Sequence, residues 1–240
     1  MKEFLDADNF PESVLVVVAH PDDIDFGMAG TIARFTDAGT HVSYRLATSG
    51  EAGPPEDMPR SEVAAMREME QRKAAEVVGV SDVEFLGLPD GHLEPNLALR
   101  REITRAIRSV RPHLVLTQSP ERRYDRLFGS HPDHLAVGEA TIGAVYPDSR
   151  NPHAHPELLA DGYEPHRVSE VWVAGLEPLD VFIDIEPVFE RKVEALSSHV
   201  SQTASFDRAE MLAKWARETA TRLGFSEDTV VEAFRRINAG

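Results

Sequence analysis

Cysteine is absent from the 240 residues, and with it go disulfides, thiolate metal ligands and cysteine nucleophiles. Any metal site must be built from His, Asp and Glu. Long apolar runs are missing too. The longest, Val14 to Ala19, is six residues, far short of the ~18 to 20 needed to cross a bilayer. The opening Lys2-Glu3-Phe4-Leu5-Asp6-Ala7-Asp8 is acidic and lacks an apolar h-region, so a cytoplasmic location is expected rather than secretion. Basic residues are scarce: 25 against 41 acidic, a net charge of −16, with only four lysines. Such a chain is repelled by phosphate backbones and anionic lipid, which argues against nucleic-acid and membrane partners.

What remains is an ordinary globular composition, 42% hydrophobic and 28% charged. The length suits one domain over residues 1–240, with a core across about 13–202 and terminal helices at about 207–237 packed on it as an appendage. Ser13 to Ala19 is a β-branched run of the kind buried on both faces of a parallel sheet. Further strands are expected at His41–Thr48, Val83–Gly87, Leu114–Thr117, Ser169–Ala174 and Val181–Ile185. Helices are expected at Met28–Ala38, Ser61–Val78, Leu97–Val110, Asp133–Val145, Val188–Ser198, Asp207–Leu223 and Ser226–Ile237. Asp207-Arg208-Ala209-Glu210 carries a capping-box pattern. Pro147 to His166, with four prolines and three histidines, reads as a long loop or flap. Strands alternating with long helices imply an α/β, Rossmann-like three-layer sandwich with a mostly parallel sheet. Its ligands would sit at the carboxyl ends of the strands, near the point where strand order reverses. His20 lies just past the first strand and Gln118-Ser119 just past the fourth.

Two segments concentrate hard ligands there: Ala19-His20-Pro21-Asp22-Asp23 and Ser130-His131-Pro132-Asp133-His134. Either alone reads as helix capping; two aimed at one sheet edge point to a shared site. Residues three apart across a tight turn or first helical turn can address one atom. His20 with Asp23, and His131 with His134, meet that rule. Two imidazoles and one carboxylate suffice for a catalytic metal with an open position, leaving Asp22 and one of the paired histidines for acid–base work. A divalent metal lowers its water's pKa to ~7, and a nearby carboxylate can take the proton. An imidazolium would stabilise a developing oxyanion. This inventory suits water attack on an unreactive carbonyl such as an amide.

The two segments resemble the paired motifs of the LmbE-like, or PIG-L, family of metal-dependent N-deacetylases acting on N-acetylglucosaminyl compounds. Thr48-Ser49-Gly50-Glu51-Ala52-Gly53, the Arg67 to Gly79 helix, Phe85-Leu86-Gly87-Leu88-Pro89-Asp90-Gly91 and His199-Val200-Ser201-Gln202 are similar to further family elements, so the likeness spans about 13–202. The resemblance implies that His20, Asp23 and His134 hold one divalent metal per chain, zinc first, with Fe(II) or another ion as alternatives. It makes Asp22 the general base for the metal's water. His131 would stabilise the tetrahedral intermediate and could protonate the leaving amine, with Asp133 orienting its ring, and Arg67 would contact substrate. Tyr124, before the second motif, is a candidate gate or oxyanion donor. The implied partner is a small N-acetylated amino sugar or glycoconjugate, and homo-oligomers are common in the family. One departure stands out: Ile24 follows the two aspartates where the family usually has Glu, and an acid, Asp25, comes one place later.

The remaining histidines divide. His41 and His113 flank strands and read as structural, while His153, His155 and His166 belong to the long loop, lining the substrate or exposed. Gly27-Met28-Ala29-Gly30 lacks dinucleotide-binding spacing, and Ser49, Ser119 and Ser130 lack a G-x-S-x-G elbow. Two rivals use the same residues: a non-haem Fe(II) oxygenase, which the βα alternation disfavours, and a non-catalytic sugar-binding or regulatory protein.

Overall fold

The computed structural model describes residues 2–124, 127–226 and 228–240. The strands are β1 Ser13–Val18, β2 His41–Leu46, β3 Asp82–Phe85, β4 Leu114–Gln118, β5 Glu170–Ala174, β6 Val181–Asp184 and β7 Val231–Asn238. They form one sheet in the order β3-β2-β1-β4-β5-β7-β6. The first five pair in parallel, and β7 runs antiparallel between β5 and β6. The helices are α1 Asp23–Gly27, α2 Ala29–Asp37, α3 Arg60–Val77, α4 Leu97–Val110, α5 Pro132–Val145, α6 Pro156–Ala160, α7 Phe189–Ser197, α8 Val200–Thr203 and α9 Arg208–Leu223.

The two-residue period of β1 splits its run between two cores. Val14, Val16 and Val18 pack with α2, α3 and α7 residues such as Ile32, Phe35, Ala74 and Ala195. Leu15, Val17 and Ala19 pack with Ile103 and Ile107 of α4 and Val137 and Ala140 of α5. Helices thus cover both faces, the expected three layers. Strand order reverses between β1 and β4, where the Ala19 N–H donates to Gln118 Oε1 at 2.9 Å and pins the two carboxyl ends together. Gly138 of α5 allows this close join, since a Cβ there would stand 2.4 Å from the Gln118 carbonyl oxygen. Asp207 caps α9, its Oδ1 accepting from the Glu210 N–H at 3.0 Å, which is one half of the capping-box pattern.

Two expectations need correction. Ser226–Ile237 is not a helix; most of it is β7, inside the sheet rather than appended to it. Val230, Phe234 and Ile237 have helical spacing, but pairing to β5 and β6 overrides it. The inserted strand brings Glu232 to the start of α2, where its carboxylate accepts from the Gly30 and Thr31 N–H groups (3.1 and 2.7 Å) and pairs with buried Lys192. The second correction concerns Pro147–His166. It is not a flap over the carboxyl edge, because α5 has already carried the chain to the opposite end of the sheet. His166 Nε2 donates to the carbonyl of Pro112, just ahead of β4. Buried Arg108, near the end of α4, ties the segment down through the carbonyls of Asp148, Ser149, Asn151 and Ala154. His153, His155 and His166 therefore do not line a site at the strand tips.

Candidate active site

Both motifs turn sharply as they leave a strand. After β1, Asp22 adopts a left-handed backbone (φ 81°, ψ −25°) that reverses the chain into α1. Asp23 begins that helix, and its Oδ2 accepts from the His20 N–H at 2.7 Å. On the other side His131 caps α5, its Nδ1 accepting from the Asp133 N–H at 3.2 Å, with Pro132 at the first helical position. His134 lies one turn in.

The turns meet across the β1–β4 crevice. His20 Nδ1 lies 3.2 Å from His134 Nε2 and 3.5 Å from Asp23 Oδ2, and His134 Nε2 lies 2.9 Å from Asp23 Oδ1. The three candidate ligands are thus brought together. A His131 ring nitrogen also comes within 4.8 Å of ligand atoms on His20 and His134. His20, Asp90 and Asp133 form a second such triplet, and the Asp23 carboxylate lies against both the His20 and His134 imidazoles.

The far side of the His20 ring holds two more acids. Its Nε2 stands 3.0 Å from Asp90 Oδ1 and 3.2 Å from Asp133 Oδ2. Asp133 also accepts from the Gly91 and Leu93 N–H groups at 2.8 and 3.2 Å. Its carboxylate thus bonds the His20 ring, whereas the His131 ring is bonded by the Asp133 N–H. Asp90 went unassigned in the sequence, although its place in the turn after β3, at a strand's carboxyl end, was a usable signal. It is held by the Ala52 N–H (2.9 Å), and its own N–H donates to Glu51 Oε1 (2.9 Å).

The electrostatics follow from this crowding. Burial depresses the His20 pKa, but hydrogen bonds to Asp133, Asp23 and Asp90 override it and push the ring up to about 12. Burial raises Asp23, yet His134 and His20 hold it well below the usual carboxylate range. Asp22 is lifted by burial against the pull of Arg67, to about 7. Burial and the neighbouring His20 and His134 lower the pKa of His131. Its Nδ1 accepts the Asp133 amide, so the neutral ring carries its proton on Nε2.

Whether these residues fit a divalent cation can be judged from the donor set. Three carboxylates, Asp23, Asp90 and Asp133, surround the His20 ring at 3.0–3.5 Å, an excess of negative charge that a cation offsets. The nitrogen turned to His134 and Asp23 is backed by acids on its opposite ring nitrogen, the arrangement that orients metal-ligating histidines. The residues fit.

Arg67 lies beside Asp22 but is only 5% exposed. Its Nη1 donates to the Gly50 carbonyl at 2.7 Å, and its Nη2 donates to the Pro21 carbonyl and Asp22 Oδ2 at 2.9 and 3.2 Å. The left-handed Gly50 (φ 68°) leaves room for this guanidinium, since a Cβ would meet Nη1 at 2.3 Å. Tyr124 is 85% exposed and is not drawn into the cluster.

The family described as PIG-L: GlcNAc-PI de-N-acetylase matches residues 15–145, a span that includes both motifs. The chain belongs to the PIG-L family. A diacetylchitobiose deacetylase of Thermococcus kodakarensis is 34% identical over 195 residues, covering 81% of this chain and 71% of that protein. A probable N-acetyl-alpha-D-glucosaminyl L-malate deacetylase 2 of Bacillus anthracis is 31% identical over 200 residues, covering 80% and 82%. Among solved structures, the N,N′-diacetylchitobiose deacetylase from Pyrococcus horikoshii, complexed with its inhibitor MPG, superposes with a TM-score of 0.87 at 27% identity, over 99% of this chain and 88% of that one. The PIG-L match thus joins the two turns that the fold brings together. No helix of the described residues is long and apolar enough to cross a membrane.

Proposed function

We propose that this PIG-L chain is a metal-dependent hydrolase that removes acetyl from the amide nitrogen of an N-acetylated amino sugar or a small conjugate of one. The observation that carries the reading is the position of Asp22, a mostly buried acid with a pKa near 7 next to the His20–Asp23–His134 cluster. His20, Asp23 and His134 would hold the divalent ion, zinc being the first choice for two imidazoles and a carboxylate. When bound, such an ion supplies a Lewis acid for the amide carbonyl and an acidified water.

The chain's own residues supply the rest. Asp22 accepts a proton from the attacking water, and its raised pKa keeps it basic enough for the task and acidic enough to pass the proton to the departing amine. Arg67, bonded to the same carboxylate, holds its orientation. His131, neutral with its proton on Nε2, donates a hydrogen bond to the oxygen on which charge develops. Asp90 and Asp133 keep the His20 ring turned toward the ligand position. Relatives named as deacetylases of diacetylchitobiose and of an N-acetylglucosaminyl malate support an amino-sugar substrate class.

The test is an acetate-release screen over N-acetylated sugars, using metal-stripped protein refilled with Zn(II) or Fe(II). His20→Ala and His134→Ala are expected to lose metal. Asp22→Asn is expected to keep metal and lose at least ~100-fold in kcat, within the usual range for a general base. Full turnover by Asp22→Asn overturns the assigned base.

A further inference from the structure

Asp22 is one of three non-glycine residues with positive φ among those described. Side chains rarely tolerate that region, so the surroundings must enforce it. Helix α3 does so by gripping both polar ends of one peptide unit. The Pro21 carbonyl accepts from Arg67 Nη2 at 2.9 Å, and the Asp22 N–H donates to Gln71 Oε1 at 2.9 Å. Arg67 and Gln71 are four apart, on one face of the helix.

Gln71 is itself held. Its Nε2 donates to Asp25 Oδ2 at 2.9 Å, and the same oxygen lies 2.8 Å from His199 Nε2. Gln71, Asp25 and His199 are all fully buried. The directions are unambiguous: the Asp22 N–H requires the Gln71 carbonyl, so the amide NH2 faces Asp25, and His199 donates from Nε2. The acid displaced to position 25 thus has a task, as does the histidine of the late H-x-S-Q segment.

We infer that Gln71, fixed by Asp25 and His199, is a positioning residue that clamps the Pro21–Asp22 peptide and thereby aims the Asp22 carboxylate. This rests on the reading of Asp22 as general base. A side chain that neither touches substrate nor ligates metal would then control kcat, because a reacting group misplaced by ~1 Å can cost about 100-fold.

The test compares wild type, Gln71→Met, Asp22→Asn and the double variant. Zinc-loaded protein is assayed with N,N′-diacetylchitobiose, alongside zinc per chain and amide exchange at Asp22 in metal-free protein. Gln71→Met, similar in length but unable to accept, is expected to lower kcat about 10- to 100-fold with KM and zinc content unchanged. Its Asp22 amide is expected to exchange at least ~10-fold faster. In the Asp22→Asn background the same change should cost less than ~2-fold, because residues acting as a unit are non-additive. An equal loss in both backgrounds, or unchanged exchange at Asp22, overturns the clamp. Should Gln71→Met fail to fold, Gln71→Asn, which withdraws the amide by one methylene, carries the same comparison. If Asp22→Asn is fully active the base assignment fails, whereas the amide exchange still decides the clamp.

Discussion

Replacing Asp133 with asparagine separates a role behind His20 from the role at the His131 ring that the family resemblance implies. Asp133 Oδ2 takes both the Gly91 N–H and His20 Nε2, while Oδ1 takes the Leu93 N–H. An amide placed there keeps the shared oxygen and turns its NH2 toward Leu93, leaving that part-buried donor without its partner at a cost of about 1 kcal/mol, the low end of the range for a buried group. His20 then loses one of its two backing charges and keeps Asp90, 3.0 Å away. Loss of an outer-sphere partner costs roughly 10- to 100-fold in metal affinity, or about 1.4–2.7 kcal/mol. With Asp90 still present, the lower end of that range, about 10-fold, is expected. Chelator competition gives the zinc Kd, thermal unfolding the stability, and acetate release at saturating zinc the kcat. Affinity should fall by more than kcat does. Unchanged zinc affinity with a collapse in kcat would refute the assignment, because that is the pattern of an acid serving His131.

Other expectations follow from the same contacts. Stripping divalent metal should abolish acetate release, and refilling should restore it; turnover by rigorously metal-free protein would sink the proposed chemistry. Lys192→Met leaves Glu232 charged and buried at the start of α2, so urea unfolding should show a loss near 3 kcal/mol, the low end of the ~3–5 seen when one partner of a buried pair is removed. Adding Glu232→Gln should recover part of that loss. Burial lowers the pKa of His199, but its bond to Asp25, and then the charges of Asp25, Asp22 and Glu70, raise it overall. Its contribution is therefore full below the unfolded value of 6.5 and fades as pH climbs through the raised folded value. The stability gap between wild type and His199→Gln should narrow as pH rises above 6.5; a constant gap argues against the charged pair. His153→Ala and His166→Ala, at the amino ends of the strands, should leave KM within ~2-fold, and a larger rise would return that segment to the site.

What could be read from the chain, and what could not, divides by sequence distance. β1 is legible because six consecutive apolar residues suit a strand buried on both sides. Both histidine-bearing turns are legible because the spacing of His20 to Asp23 and of His131 to His134 is set within one turn of backbone. β7 is not legible because Val231–Asn238 fits either period, and the residues it pairs with in β5 and β6 lie 47 to 68 positions earlier. The place of the 147–166 segment is not legible, because composition marks a loop without saying at which end of a sheet it lies; only the direction of α5 settles that. The same limit explains Asp133. Its nearest imidazole in sequence is His131, but α5 directs its carboxylate across 113 positions to His20. Asp25 and His199, 174 apart, have no spacing to betray them, yet they lock the glutamine that holds Asp22. Local turn geometry thus specifies which atoms can address a cation, whereas the partners that orient those atoms are chosen by strand order and helix direction. A motif can therefore announce the chemistry while staying silent about what aims it, and variants at Asp133 and Gln71 probe the part that only the fold supplies.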